Sequence, residues 1–187
     1  MQRLITMLAD LVPLNQSVID ALIEMVFSVD YPKGVLLAEQ GKPCRYIYFI
    51  EKGVMRGFYH RGEKDITTWF AYEQDVVTSM SSFVTQHPAV ENIEVLESAS
   101  VKGISYDHLQ ELYRRFPEFN IVGRLLSERY YVELEERTLS LQNLSARERY
   151  IKLLNEQPHI LQKVSLGHIA SYLGMSQETL SRIRRNR

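Results

Sequence analysis

The chain has 187 residues, of which 45% are hydrophobic and 24% charged, a balance typical of a globular protein in water. No apolar run approaches the roughly 18 residues of a membrane span, and the N-terminus lacks a signal-peptide cleavage site, so we expect a cytoplasmic protein with no membrane partner. The single cysteine, Cys44, excludes an intramolecular disulfide and a four-cysteine zinc or iron–sulfur site within one chain.

The net charge of −1 hides an uneven distribution of charged residues. Residues 144–187 hold eight Lys or Arg against three Asp or Glu, a net charge of +5. Residues 1–143 hold fourteen against twenty, a net charge of −6. A basic C-terminal module on an acidic body is expected of a protein in which one small domain contacts phosphates.

The N-terminal region is predicted to be helical and the next region to be β-sheet. Residues 1–29 show partial helical spacing, interrupted near Pro13. Over residues 31–104, glycines separate short β-branched and aromatic runs, which predict a barrel or jelly roll. The clearest predicted segments are strands at Arg45–Ile50 and Val54–Tyr59, a turn at Glu51–Gly53 and a hairpin connection at His60–Glu63.

Two helices are predicted after the sheet. Tyr106–Arg115 is short and ends before Pro117, and a longer helical stretch runs from Pro117 to Leu141. The longer helix has an apolar stripe, which favours a two-helix dimer seam; packing on the chain's own barrel is the alternative. The stripe consists of Val122, Leu125, Leu126, Tyr130, Leu134 and Leu141.

The last two dozen residues have the pattern of a helix-turn-helix. Ser165 and Ser176 are placed to cap two helices, and Gly174 is placed for a tight left-handed turn between them. Leu180 and Ile183 are spaced to pack the second helix inward. The residues left facing outward are Gln177, Glu178, Ser181, Arg182 and Arg185. Such side chains bond to base edges and phosphates, although an ordinary helical hairpin would have a solvated charged face.

Several segments in a fixed order carry a family resemblance. They are Tyr31–Gly34 with Glu39–Gly41, Tyr46–Gly53, Gly103–Tyr106, and Gly174–Arg182. Together they resemble the cyclic-AMP receptor protein/FNR (Crp/Fnr) family of bacterial transcription regulators. The resemblance implies an α+β fold in three parts. These are a cyclic-nucleotide-binding-like β-roll (residues 1–116), a dimerisation helix and hinge (117–143) and a DNA-binding helix-turn-helix domain (144–187).

The resemblance implies a homodimer that binds a palindromic operator on double-stranded DNA, with two recognition helices roughly 34 Å apart. It implies that Gln177, Glu178 and Arg182 contact bases, Arg182 at guanine and Glu178 at cytosine N4. Ser176 and Thr179 become candidates for phosphate contacts. RNA polymerase is a further implied partner. The family's β-hairpin wing would follow the recognition helix, but this sequence stops at Arg187, so we expect the terminal arginines to supply phosphate charge in its place.

The resemblance also places a cyclic-nucleotide site in the roll. That site needs a glutamate and an arginine, whose positions fall near Thr78 and Ala89, and no Lys or Arg occurs between Phe70 and Val101. Because a buried phosphate must be paired, we predict no cyclic-AMP binding in the usual way. The pocket is expected either to be filled or to hold an unknown apolar effector. Its candidate residues are Trp69, Tyr72, Thr78, Phe83, Ala89, Tyr130 and Tyr131.

Two other functions were weighed. A metal-dependent cupin enzyme needs clustered ligands, but the five histidines are scattered, and no phosphate-binding loop, dinucleotide fingerprint or nucleophile elbow occurs. We therefore expect no enzymatic activity, no metal and no cofactor. A ligand-sensing module that acts on a partner protein is the second alternative, and the helix-turn-helix argues against it.

Overall fold

Two short helices, α1 (Gln2–Leu11) and α2 (Gln16–Met25), open the chain in the computed structural model, which describes residues 1–185. The Asn15 side chain caps α2 by accepting the Val18 N–H at 2.9 Å. The predicted helical region ends earlier than residue 29, because the chain enters the sheet at Phe27. Arg187, a predicted phosphate contact, lies outside the described residues.

One antiparallel sheet follows and forms the roll. Its strands are β1 (Phe27–Tyr31), β2 (Leu36–Ala38), β3 (Tyr46–Arg61), β4 (Lys64–Ala71), β5 (Val76–Val77) and β6 (Asn92–Ser105). The strand order is β1-β6-β3-β4, with β2 also paired to β6 and β5 to β3. Strand β4 therefore has one edge that no other strand of this order covers.

The predicted turn at Glu51–Gly53 is wrong, because β3 continues through it. Gly53 has φ +113°, and the pairing with β6 shifts register between Ile50 and Val54, so the glycine forms a bulge. A Cβ at Gly53 would lie 2.6 Å from the Ala99 Cβ, which explains why the position takes glycine. The hairpin prediction is confirmed: β3 ends at Arg61, β4 begins at Lys64, and Gly62 has φ +62°.

The remaining elements are helices that surround the roll and complete the C-terminal module. They are α3 (Met80–Thr85), α4 (Tyr106–Arg115), a 3-10 turn (Pro117–Phe119), α5 (Asn120–Asn143), α6 (Ala146–Glu156), α7 (Ile160–Lys163), α8 (Leu166–Tyr172) and α9 (Gln177–Arg185). Within residues 1–185, none of them is long and apolar enough to cross a bilayer.

The apolar stripe of α5 divides into two parts. Val122 is 2% exposed, and it packs with Leu126 on the N-terminal helices and on α4, as the alternative prediction had it. Tyr130, Leu134 and Leu141 are 38%, 51% and 44% exposed. The first half of the helix thus belongs to the chain's own core, and the second half presents apolar side chains to solvent.

The C-terminal module packs on the roll through a shared apolar core. Val54, Phe70 and Leu96 from the sheet join buried side chains of α6 to α9. The module's members of this cluster include Leu153, Ile160, Ile169, Leu173 and Leu180. The DNA-binding candidate is therefore fixed against β3, β4 and β6 rather than tethered by α5 alone.

Candidate nucleic-acid interface

Local hydrogen bonds form the turn between α8 and α9. The Ser165 hydroxyl caps α8 by accepting the His168 N–H at 3.2 Å. After α8, Gly174 has φ +63°, and Met175 N–H donates to the Ala170 carbonyl at 3.0 Å. These contacts confirm the predicted cap and left-handed turn.

Helix α9, the second helix of the pair, is fixed by its N-cap and by the packing of its inner side. The Ser176 hydroxyl accepts the Thr179 N–H at 3.2 Å and caps α9 as predicted. Leu180 is fully buried and Ile183 packs on the same cluster. The inward side of α9 is therefore fixed, and the helical period then determines which residues face outward.

Arg149 joins this module to the end of α5. Its Nε donates to the Leu173 carbonyl at 2.8 Å, and its Nη1 donates to the Leu144 carbonyl at 2.5 Å. Both carbonyls lie at the C-terminal ends of helices, where a cation is favoured by the helix dipole. A Cβ at Gly174 would lie 3.2 Å from Leu141 Cδ2, so the turn also lies close to α5.

The outward side of α9 carries the predicted DNA-contacting residues. Gln177, Glu178, Arg182 and Arg185 are exposed, as is the capping Ser176, and Thr179 and Ser181 are half-buried at the margin. Hydrogen bonds from the Ser176 hydroxyl and from the Glu178 N–H hold the pKa of the Glu178 carboxyl below its usual range. The carboxylate is therefore ionised at neutral pH and can accept a hydrogen bond.

One basic residue near this surface was not among the predicted contacts. Arg147, in the first turn of α6, lines a shallow groove of about 420 Å³ with Thr179, Arg182 and Ile183. The capping box at Ser145 and Glu148, which the structure retains, fixes the start of α6 and hence the position of Arg147. This capping box, visible in the sequence, is the signal from which the position of Arg147 could have been predicted.

A cleft of about 1230 Å³ runs between the roll, α5 and the C-terminal module. Five of the seven predicted pocket residues line it, namely Trp69, Tyr72, Thr78, Phe83 and Tyr130. Ala89 and Tyr131 are not among its lining residues: Ala89 is buried and Tyr131 is 64% exposed. Tyr72 contacts the His159 ring, with 4.1 Å between ring centroids, and Phe83 packs on Tyr106.

Comparison with known proteins finds a matching domain family and similar regulators. A family model for the cyclic nucleotide-binding domain matches residues 28–116. The fumarate and nitrate reduction regulatory protein of Vibrio cholerae is 28% identical over 185 residues, covering 91% of this chain and 72% of that protein. The transcriptional activator protein Anr of Pseudomonas protegens is also 28% identical, covering 91% of this chain and 74% of that protein.

Solved structures share the fold. The c-di-GMP responsive global regulator CLP of Xanthomonas campestris has a TM-score of 0.70 at 18% identity, covering 92% of this chain and 91% of that one. FixK2 from Bradyrhizobium japonicum has a TM-score of 0.72 at 21% identity, covering 86% of this chain and 83% of that one. Over most of its length the chain is similar to regulators of the Crp/Fnr family. It is a transcription regulator and not an enzyme, as its curated relatives are regulators.

The two positions predicted to correspond to the nucleotide-binding glutamate and arginine, Thr78 and Ala89, make other interactions. Thr78 Oγ1 donates to the Tyr46 carbonyl at 2.9 Å, and Cys44 Sγ lies 3.4 Å from Thr78 Oγ1. Ala89 is 3% exposed, and its backbone pairs with Gly41 and Lys42. Among residues 1–185 there is also no cluster of ligands suited to a metal ion.

Proposed function

We propose that the chain forms a homodimer that binds a two-fold symmetric DNA operator through α9. The observation that carries the proposal is the exposed side of α9, where Gln177, Glu178, Arg182 and Arg185 project from a helix whose other side is buried. The major groove of B-DNA, roughly 12 Å wide, admits one helix. Arginine there favours guanine, and an ionised glutamate accepts from cytosine N4.

The charge around α9 supports the same assignment. Arg182, Arg184 and Arg185 lie in its last turns, and Arg147 of α6 adds a fourth cation beside Arg182. Phosphate contacts by such side chains make DNA binding strongly salt-dependent. We assign Ser176 and Thr179 to the phosphates at the margin of the groove, since both lie where α9 begins.

The dimer is proposed to form through α5. Val132 and Leu139, each 50% exposed, lie on the side of the helix opposite to Tyr130, Leu134 and Leu141, which line the cleft beside the C-terminal module. Val132 and Leu139 are seven residues apart, the spacing of a two-helix seam, and a 24-residue helix is about 36 Å long. A second copy of α5 is the partner that would cover this surface symmetrically.

The roll is proposed to be an effector domain that does not bind cyclic AMP in the family's usual way. The observations that support this are the occupied Thr78 and Ala89 positions and the absence of Lys and Arg between Phe70 and Val101. A contact with RNA polymerase stays a prediction.

Selection of bound fragments from a random DNA pool tests the proposal. We expect an enriched inverted repeat whose half-sites lie about one helical turn, roughly 34 Å, apart or a multiple of it. Arg182→Ala should lose the preference at one base pair of each half-site. The matched control is Arg114→Ala, an exposed arginine of α4 that lies outside the proposed DNA surface. Enrichment of a single asymmetric half-site, or of no sequence, would contradict the proposal.

A further inference from the structure

Glu91 is a largely buried carboxylate without a cationic partner. Its Oε2 accepts the indole N–H of Trp69, with 3.2 Å between Oε2 and Nε1. The ion pairs formed within residues 1–185 do not include Glu91. Burial raises the pKa of this carboxyl, although neighbouring donors such as Trp69 and Ser79 oppose the rise. A buried charge that meets only neutral donors is incompletely compensated.

The surroundings of Glu91 combine aromatic rings with neutral polar side chains. The Trp69 ring lies over Gly57, where a Cβ would come within 2.2 Å of the indole Cε2, so this glycine is what allows the ring to lie flat on β3. Tyr130 of α5 lies on the other side of the cleft, and burial together with the Glu91 charge raises the pKa of its hydroxyl. The Thr68 hydroxyl is buried there and, like Trp69 and Ser79, opposes the rise of the Glu91 pKa.

The cations that line the same cleft are already engaged. Arg124 pairs with Glu128 at 2.6 Å, and Arg129 pairs with Glu133 at 2.9 Å. The other engaged cations are Lys102 with Glu51, Lys152 with Glu136 and Glu156, Arg137 with the Tyr172 carbonyl and ring, and Arg149 with two helix-end carbonyls. Asp75, the other largely buried carboxylate of the cleft, accepts the Tyr72 N–H at 2.9 Å and is stabilised by the charge of Arg129. Among the described residues, Glu91 is therefore the buried cleft carboxylate that has no cation beside it.

We propose that this end of the cleft binds a small organic ammonium ion. The charged nitrogen lies against the Glu91 carboxylate, and the apolar body of the ligand lies between the Trp69 and Tyr130 rings. The faces of aromatic rings attract a cation. An ammonium ion paired with Glu91 would also offset the free-energy cost of burying that carboxylate. A phosphate at the same place would be repelled. The inference rests on the proposed function for the role of the roll as an effector domain, and it names the ligand class of that domain.

The chain provides its own reporter for this site. Trp69 is the single tryptophan of the sequence, so tryptophan emission, excited selectively over the tyrosines, comes from the proposed binding site. The probes are phenethylamine, which is cationic at neutral pH, its anionic counterpart 3-phenylpropionate, and cyclic AMP. We expect a saturable change of Trp69 emission with phenethylamine, and affinities for the two anions at least about tenfold weaker, which corresponds to about 1.4 kcal/mol.

A matched pair of variants isolates the charge. Glu91→Gln keeps a carbonyl acceptor for the Trp69 N–H but removes the negative charge, and it should weaken phenethylamine binding about tenfold or more. Glu73→Gln removes an exposed carboxylate that does not line the cleft and should bind like the wild type. Binding of 3-phenylpropionate as tight as that of the amine, unchanged amine binding by Glu91→Gln, or no emission change with any probe would each overturn the proposal.

DNA binding by the same samples separates the two proposals. A protein that binds its selected operator but shows no preference for the amine leaves the proposed function standing and overturns the ammonium site. A protein that binds the amine but enriches no DNA sequence leaves the ammonium site standing and overturns the proposed function.

Discussion

Ser171 of α8 completes the hydrogen bonds of Thr67 in the edge strand β4, although 104 residues separate them in the chain. The Ser171 hydroxyl accepts the Thr67 N–H at 2.9 Å and donates to the Asp65 carbonyl at 2.9 Å. Tyr172, the next residue, packs on Phe70 with 5.1 Å between ring centroids. A side chain of the C-terminal module therefore covers the open edge of the roll, so a rearrangement of either part changes this contact directly.

Ser171→Ala should loosen this junction. The Thr67 residue is 1% exposed, so its N–H would remain buried without an acceptor, at a cost of about 1–3 kcal/mol. Urea unfolding should show a lower midpoint, and amide exchange at Thr67 should become faster. Ser127→Ala, whose hydroxyl bonds only a carbonyl within α5 on an exposed face, is the control and should change neither quantity. An unchanged exchange rate at Thr67 would count against the junction.

Arg56 carries the largest expected loss of stability in the roll. Its side chain is 4% exposed, and it reaches Glu94 Oε2 at 2.6 Å and Asp65 Oδ2 at 2.9 Å. Arg56→Met should cost about 3 kcal/mol, at the low end for a buried pair because both carboxylates reach solvent. Arg56→Lys should lose less stability, since lysine keeps the positive charge, although it cannot bond both carboxylates in the geometry of a guanidinium. Urea midpoints measure both, with the exposed Arg61→Met as control; a midpoint for Arg56→Met equal to that of the wild type would refute the expectation.

His168 makes the docked module sensitive to acid. Burial lowers the pKa of its imidazole and the charge of Arg56 acts in the same direction, while Glu94 and Asp65 oppose them. The imidazole therefore takes up a proton at a higher pH in the unfolded chain than in the folded one. The free energy of unfolding declines as the pH falls through the pKa of histidine in the unfolded chain, about 6.5.

The test of this pH dependence is urea unfolding from about pH 7 to about pH 5.5. His168→Gln should lose less stability over this interval than the wild type, because it has no proton to bind. His87→Gln, an exposed histidine of the roll, should follow the wild type. Identical slopes for wild type and His168→Gln would argue against the assignment.

Arg182 and Arg185 should have different effects on DNA binding. Arg182→Ala removes a base contact and should cost about 1–3 kcal/mol on the selected operator but much less on unrelated DNA. Arg185→Ala removes a phosphate contact and should weaken binding on all sequences while lowering the salt slope by about 1. Titrations at several salt concentrations measure both, and equal losses on all DNA for both variants would contradict the assignment of Arg182.

Val132 tests the proposed seam on α5. Val132→Glu places a charge on a side chain that is 50% exposed in the single chain, so the fold should survive while the dimer dissociates. Sedimentation at micromolar concentration should give a monomer with an unchanged far-ultraviolet spectrum. Ile151→Glu, at a 43% exposed position on α6, is the control and should remain dimeric. A Val132→Glu protein that stays dimeric would exclude the seam.

The helix-turn-helix could be predicted because its signals are local. The caps at Ser165 and Ser176 and the turn at Gly174 each depend on residues within a few positions along the chain. The bulge at Gly53, through which β3 continues, could not be predicted in the same way. Glycine after two charged residues favours a turn, and only the close approach of Ala99 from β6 makes the position a bulge.

The sequence by itself determined the element types, the basic face of α9 and the absence of cations at the nucleotide position, because each follows from residue chemistry and spacing. The tertiary structure decided where these parts meet: Ser171 at the edge of β4, and the two halves of α5 with different surroundings. It also brought Glu91 to the Trp69 nitrogen. Such contacts join residues far apart in the chain, and no short-range periodicity specifies which buried surfaces will face one another.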